Sequence, residues 1–223
     1  MLNTGSGPIS MTRTRFINNT AMVGGQGGTI YAMDPKDANF TDCSWLNNSA
    51  YQGGGIYASR FGKKADWAFT RCKFEGNTAD QRGAAVWTTG MNYTFTATNF
   101  SANKALMGAA VYATNSGTKR KLNMMFNKCV MEGNAAEQSA GVAWVTGYKN
   151  VSLDSCRIAG NRAGQSAGGL YLQDTPARIA GCVLSGNRAR SAAAVMLQGN
   201  DSVVQAVGSL FQDNMVRAWL VYC

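Results

Sequence analysis

The chain has 223 residues, with 21 basic and 12 acidic side chains, no histidine and a formal net charge of +9. Charged residues are 15% of the total and glycine is abundant at 26 residues, against about 25% charged in ordinary soluble domains, which favours stacked turns over long amphipathic helices. No apolar run approaches the ~18 residues that span a bilayer, and the absence of histidine removes histidine proton shuttles and triads.

Met1 to Ser10 has neither a basic start nor an apolar stretch, so it does not read as a signal peptide. The first predicted rung begins at Ile9, and the last stops at Leu220 to Cys223. Both ends read as cut, so residues 1–223 are expected to be a single segment of a longer protein. From Ile9 onward one pattern of residues recurs. Asn19, Asn48, Asn77, Asn103, Asn134, Asn161, Asn187 and Asn214 are 26 to 31 residues apart. Three positions before each lies Phe16, Trp45, Phe74, Phe100, Met131, Ile158, Leu184 or Phe211, and two after each lies an alanine or, at the end, Val216. Such a period signals stacked units, each too small to bury a core alone.

Ten and eight positions before each asparagine lie pairs such as Trp67 and Phe69, or Tyr93 and Phe95. Their spacing of two puts them on one face of a predicted strand. A second strand carries positions −5 and −3. A third follows the asparagine, as in Gly55-Ile56-Tyr57, Ala85-Val86-Trp87 and Gly169-Leu170-Tyr171. The pattern predicts an all-β fold: a right-handed parallel β-helix of about eight coils with three short strands per coil. The asparagines are expected to take the left-handed backbone of a tight turn and to hydrogen-bond along the axis. Eight equivalent copies argue against each binding a ligand.

Phe-x-x-Asn followed by a Gly-Gly-Ala-Ile-like strand, as in Phe16-Ile17-Asn18-Asn19 with Gly27-Gly28-Thr29-Ile30 and Phe74-Glu75-Gly76-Asn77 with Gly83-Ala84-Ala85-Val86, resembles the repeats of chlamydial polymorphic outer membrane proteins. Repeats with a cysteine two before the aromatic are also similar to those in surface proteins of some algae and protists. The resemblance implies a pectin-lyase-like parallel β-helix, secreted or at the cell surface, used in adhesion or as a stalk. It carries over no catalytic residues.

Cys43, Cys72, Cys129, Cys156 and Cys182 share the −5 column, with threonine or serine on the other rungs. This marks a small inward slot, where a bridge between neighbouring rungs is geometrically allowed but not required. Asn-x-Ser/Thr sequons start at Asn18, Asn39, Asn47, Asn92, Asn99, Asn150 and Asn200. They point to a secretory origin, although an Asn- and Thr-rich turn composition generates them as well.

The acidic residues scatter. Asp80 and Glu137 fall three after their asparagines, and Glu75 and Glu132 fall two before theirs. Each pair is two coils, about 10 Å, apart, which exceeds the spacing of carboxylate pairs that act together. The loops after the third strand hold Lys36, then Arg60, Lys63 and Lys64, then Lys119, Arg120 and Lys121, then Lys149. They form a candidate stripe for a polyanion such as acidic polysaccharide. Nucleic acid is not expected, since outward aromatics do not interleave with the cations. Tyr31, Tyr57, Trp87, Tyr112, Trp144 and Tyr171 form a further ladder, read as packed rather than sugar-stacking. Thr94, Thr96 and Thr98 share a single coil, which sets aside an ice-binding array. The reading is a non-enzymatic structural or adhesive segment of a larger cell-surface or extracellular protein. It has no cofactor, and its partner is the rest of its own polypeptide or a larger assembly. The alternative is a β-helix that binds or degrades acidic polysaccharide, with active groups partly outside the segment.

Overall fold

The computed structural model describes residues 2–3, 7–62, 64–115 and 121–216. The described strands form four parallel sheets of eight, eight, seven and eight strands, wound as a right-handed solenoid of about seven turns. In one coil the chain passes through Ala38–Thr41, Ser44–Leu46, Ser49–Gln52 and Ile56–Ser59. These ranges define the first to fourth sheets.

There are thus four strands per coil, not three. The additional strand is the one that directly follows the asparagine. It buries a single small residue, the alanine at +2, so its apolar signal is too weak to separate it from a turn. The alternation is nonetheless there: in Ser49–Gln52 only Ala50 is buried. This third sheet is the least regular. It shifts register between Ala79 and Arg82 and shrinks to two residues at Arg162–Ala163 and Arg188–Ala189.

The core is a set of ladders because in-register parallel stacking brings like residues together. One row runs Phe16, Trp45, Phe74, Phe100, with ring centroids 5.2, 4.5 and 5.1 Å apart and near-parallel planes. A second runs Phe40, Phe69, Phe95, Phe126 at 4.7, 5.1 and 5.1 Å. The rows meet edge-on, at 76° for Phe40–Trp45 and 79° for Phe95–Phe100. Each such pair adds about 0.5–1.5 kcal/mol to the apolar burial itself. Further along, Met131, Ile158 and Leu184 continue the first row as a fully buried aliphatic stack.

Left-handed residues turn the corners, and the recurring asparagine is not among them. The residue just before it is: Asn18 (φ 54°), Asn47 (53°), Gly76 (64°), Ala102 (54°), Gly133 (63°), Gly160 (62°), Gly186 (63°) and Asp213 (53°). A second left-handed column precedes the fourth sheet, with glycine at 27, 53, 83 and 108 but Ala140, Ala167 and Ala192 on later coils. At those four glycines an added Cβ would lie 2.3–2.5 Å from the carbonyl oxygen three residues on. The alanines therefore hold a backbone that costs a non-glycine residue about 1 kcal/mol. Ala140→Gly and Ala167→Gly are each expected to raise stability by up to about 1 kcal/mol, read as a higher thermal midpoint. Among the described residues no helix is long and apolar enough to cross a membrane.

Candidate functional site

The asparagine column is a continuous internal hydrogen-bond ladder. Asn48 Nδ2 donates to Asn77 Oδ1 (3.0 Å) and to the Phe16 carbonyl of the coil behind (3.1 Å). Its Oδ1 accepts from the backbone N–H and Nδ2 of Asn19 at 3.0 and 2.9 Å. The amide–amide bond recurs at 2.9–3.0 Å over seven steps, from Asn19 to Asn214. Asn48, Asn77, Asn103, Asn134, Asn161 and Asn187 are fully buried. A buried amide is tolerable only when its donors and acceptors are all met, and this geometry meets them. No valence is left for a ligand.

The −5 column follows the same logic with a shorter side chain. Cys129 Sγ lies 3.3 Å from the Phe95 carbonyl of the coil behind, and the Cys129 N–H donates to Cys156 Sγ at 3.4 Å. Thr98 Oγ1 and Ser209 Oγ make the equivalent contacts to the Phe69 and Ile179 carbonyls, each at 3.2 Å. The slot asks for one short donor–acceptor atom, which thiol and hydroxyl both supply; hence the interchange. Cys43, Cys72, Cys129, Cys156 and Cys182 are buried and unbridged. Burial pushes Cys72 up to about 11, and contact with Cys129 together with burial pushes Cys156 up to about 12. Since the thiolate is the nucleophile, Cys72 and Cys156 are expected to resist iodoacetamide at pH 8 and to react only in denaturant, as read by peptide mass, whereas the hydrogen bond to Cys156 lowers the pKa of Cys129.

A groove of about 720 Å³ runs along the outer surface of the third sheet, lined by Thr78, Asp80, Lys104, Glu137 and Arg162 over a floor of small residues from Ala79 to Gly164. Strand register places Thr78, Lys104, Ala135 and Arg162 in one outward column. Asp80 and Glu137 lie two residues after Thr78 and Ala135, where the register of this sheet shifts. All four charged side chains are exposed.

Residues 67–222, over two thirds of the chain, match the family model described as the right handed beta helix region. The chain belongs to the right-handed β-helix family. Residues 13–33 also match the Chlamydia polymorphic membrane protein repeat, the segment holding Phe16, Asn19 and Gly27 to Ile30. No curated protein and no solved structure matches the chain.

The loops that close each turn of this β-helix, between the fourth and first sheets, carry Lys36, Arg60, Lys64, Lys121 and Lys149, and all but the half-buried Arg60 are exposed. Lys63, Lys119 and Arg120 lie outside the described residues. Arg60 donates to the Asp34 and Pro35 carbonyls. Asp34 Oδ1 accepts from the Phe61 N–H, and Asp37 Oδ1 from the Asp66 N–H. Three carboxylates therefore share the corner with the first cations, and Lys121 and Lys149 stand out as its basic part.

The aromatic ladder of the β-helix faces outward, but its rings stack on one another. Tyr57–Trp87 centroids are 4.2 Å apart at 1°, and Trp144–Tyr171 centroids 3.9 Å apart at 9°. The Arg82 guanidinium covers Tyr112 at 5.1 Å. Faces used this way are closed to a sugar ring. Thr12, Thr41, Thr70 and Thr96 pair in register on the first sheet, so outward threonines do stack across four coils, in a column that the sequence reading passed over.

Among the sequons, Asn18, Asn39, Asn47 and Asn200 are exposed, while Asn92, Asn99 and Asn150 are half-buried. Asn92 Nδ2 donates to Asp66 Oδ1 at 2.6 Å, and Asn99 Oδ1 is buried. Expression through a eukaryotic secretory pathway is expected to glycosylate Asn18, Asn39 and Asn200 and to leave Asn92 and Asn99 unmodified, as read by glycopeptide mass spectrometry.

Proposed function

We propose that this β-helix is a non-enzymatic structural and adhesive segment of a larger extracellular or cell-surface protein. The asparagine ladder carries the reading: the most strictly repeated polar residues are consumed in holding coil to coil, as a stalk requires. The polymorphic membrane protein repeat at residues 13–33 supports a surface location. Asp80 and Glu137 are two coils, about 10 Å, apart, further than the carboxylate pairs of glycoside hydrolysis.

The test has two arms. Beads coated with the chain should adhere to cells or matrix above beads coated with an unrelated rod of equal charge. The chain should release no reducing ends from acidic polysaccharides. Turnover abolished by Asp80→Asn or Glu137→Gln would overturn the non-enzymatic reading, and beads that adhere no better than the control would overturn the adhesive one.

A further inference from the structure

We propose that the groove on the third sheet docks an extended peptide carrying one acidic and one basic residue in every three. This rests on the adhesive reading above and gives it a partner chemistry. Lys104 and Arg162 share one column, and Asp80 and Glu137 each lie three residues after the asparagine of the coil before the corresponding base, so the groove alternates acid, base, acid, base on four successive coils. Among the described residues none of the four joins an ion pair, whereas Asp42–Arg71, Glu75–Lys73 and Glu132–Arg157 on the neighbouring face do.

A ligand can satisfy all four charges only by carrying both signs. A polyanion drawn by Lys104 and Arg162 would meet Asp80 and Glu137. No aromatic ring lines the groove to stack a sugar, and the floor of alanine and glycine lets a backbone approach closely. Charges of one sign recur every two coils, about 9.6 Å. In a polyproline II chain every third residue returns to the same face after about 9.3 Å. A Lys-Glu-x repeat therefore sets its lysines against Asp80 and Glu137 and its glutamates against Lys104 and Arg162, with x over Ala135 and Ala136.

The experiment titrates the full 223-residue chain into labelled (Lys-Glu-Pro)4, (Glu-Glu-Pro)4, (Lys-Lys-Pro)4 and oligogalacturonate, reading fluorescence anisotropy at low and at physiological salt. The alternating peptide is expected to bind about tenfold more tightly than any single-sign ligand, as four rim pairs of modest strength allow, and to weaken as salt rises. Lys104→Glu with Arg162→Glu should switch the preference to (Lys-Lys-Pro)4. Ala135→Trp, which fills the groove from a half-exposed position, should abolish binding without moving the thermal midpoint. Equal or tighter binding of (Glu-Glu-Pro)4 or oligogalacturonate, no binding of any peptide, or binding that survives Ala135→Trp would each overturn the proposal. Bead adhesion that persists while the peptide fails removes this assignment alone and leaves the adhesive reading standing.

Discussion

Asn103→Ala is expected to destabilise the β-helix by about 4 kcal/mol, read as a lower urea midpoint. Four buried hydrogen bonds are lost together: those from the Asn77 N–H and Nδ2 to Asn103 Oδ1, and those from Asn103 Nδ2 to the Phe74 carbonyl and Asn134 Oδ1. Asn77 Nδ2 keeps the Trp45 carbonyl and Asn134 Oδ1 keeps the N–H of residue 103, so the Asn77 N–H is the group left without its side-chain partner. An orphaned buried group costs roughly 1–3 kcal/mol, and the lost side chain leaves a void besides. Asn103→Asp separates acceptor from donor. It keeps both bonds from Asn77 but turns an oxygen toward the Phe74 carbonyl and Asn134 Oδ1, which Asn103 Nδ2 now satisfies. Burial raises a carboxyl above its usual value of about 3.9. The folded state then favours the protonated acid, so stability is retained at low pH and lost as pH rises through the raised value. Asn103→Asp should thus be far less stable at pH 7 than at pH 4. An Asn103→Ala protein with an unchanged midpoint would contradict the ladder as a source of stability.

Gly54→Ala should cost about 3 kcal/mol or more, at the upper end of the range for overpacking. Its φ is not left-handed, so conformational freedom is not the issue; the neighbouring coil is. An added Cβ would lie 2.2 Å from the Thr78 carbonyl oxygen and 2.6 Å from that of Ala84. Both are backbone atoms of the next rung, which cannot withdraw without stretching ladder bonds such as Gly55 N to Ala84 O at 2.8 Å. Gly133 is the contrasting case. Its φ is +63° but nothing lies within 4 Å of a Cβ there, so Gly133→Asn, a residue that tolerates this backbone, should be near neutral by thermal unfolding.

The architecture was legible in the sequence wherever one residue per coil does one job. Asn48, Cys43, Phe40 and Trp45 each mark a column, and stacking in register converts column into ladder. The fourth strand was not legible, because Ser49-Ala50-Tyr51-Gln52 offers a single small inward residue and no apolar pair. The left-handed turn was assigned one residue late: Asn47 and Gly76, not Asn48 and Asn77, carry positive φ, since the asparagine itself is needed inside as a hydrogen-bonding amide. The groove escaped notice for a different reason. Asp80, Lys104, Glu137 and Arg162 sit on four coils in two columns, and each column alternates charged with neutral residues. Only the strand register, which sets Lys104 beside Ala135 and Ala135 beside Arg162, assembles them. Reading the +1 and +3 columns down the aligned repeat would have shown the alternation.

Every hydrogen bond of the asparagine ladder, like the sheet bonds beside it, runs along the solenoid axis. Tension applied between the ends loads the outermost rung first and the others in turn. The rod should therefore yield by peeling, one coil per event and at low force, rather than by shearing at once. A coil of 26 to 31 residues pays out about 9–11 nm of extended chain at 3.3–3.6 Å per residue, so a tethered adhesin built from it would lengthen in steps and shed load before its contacts break.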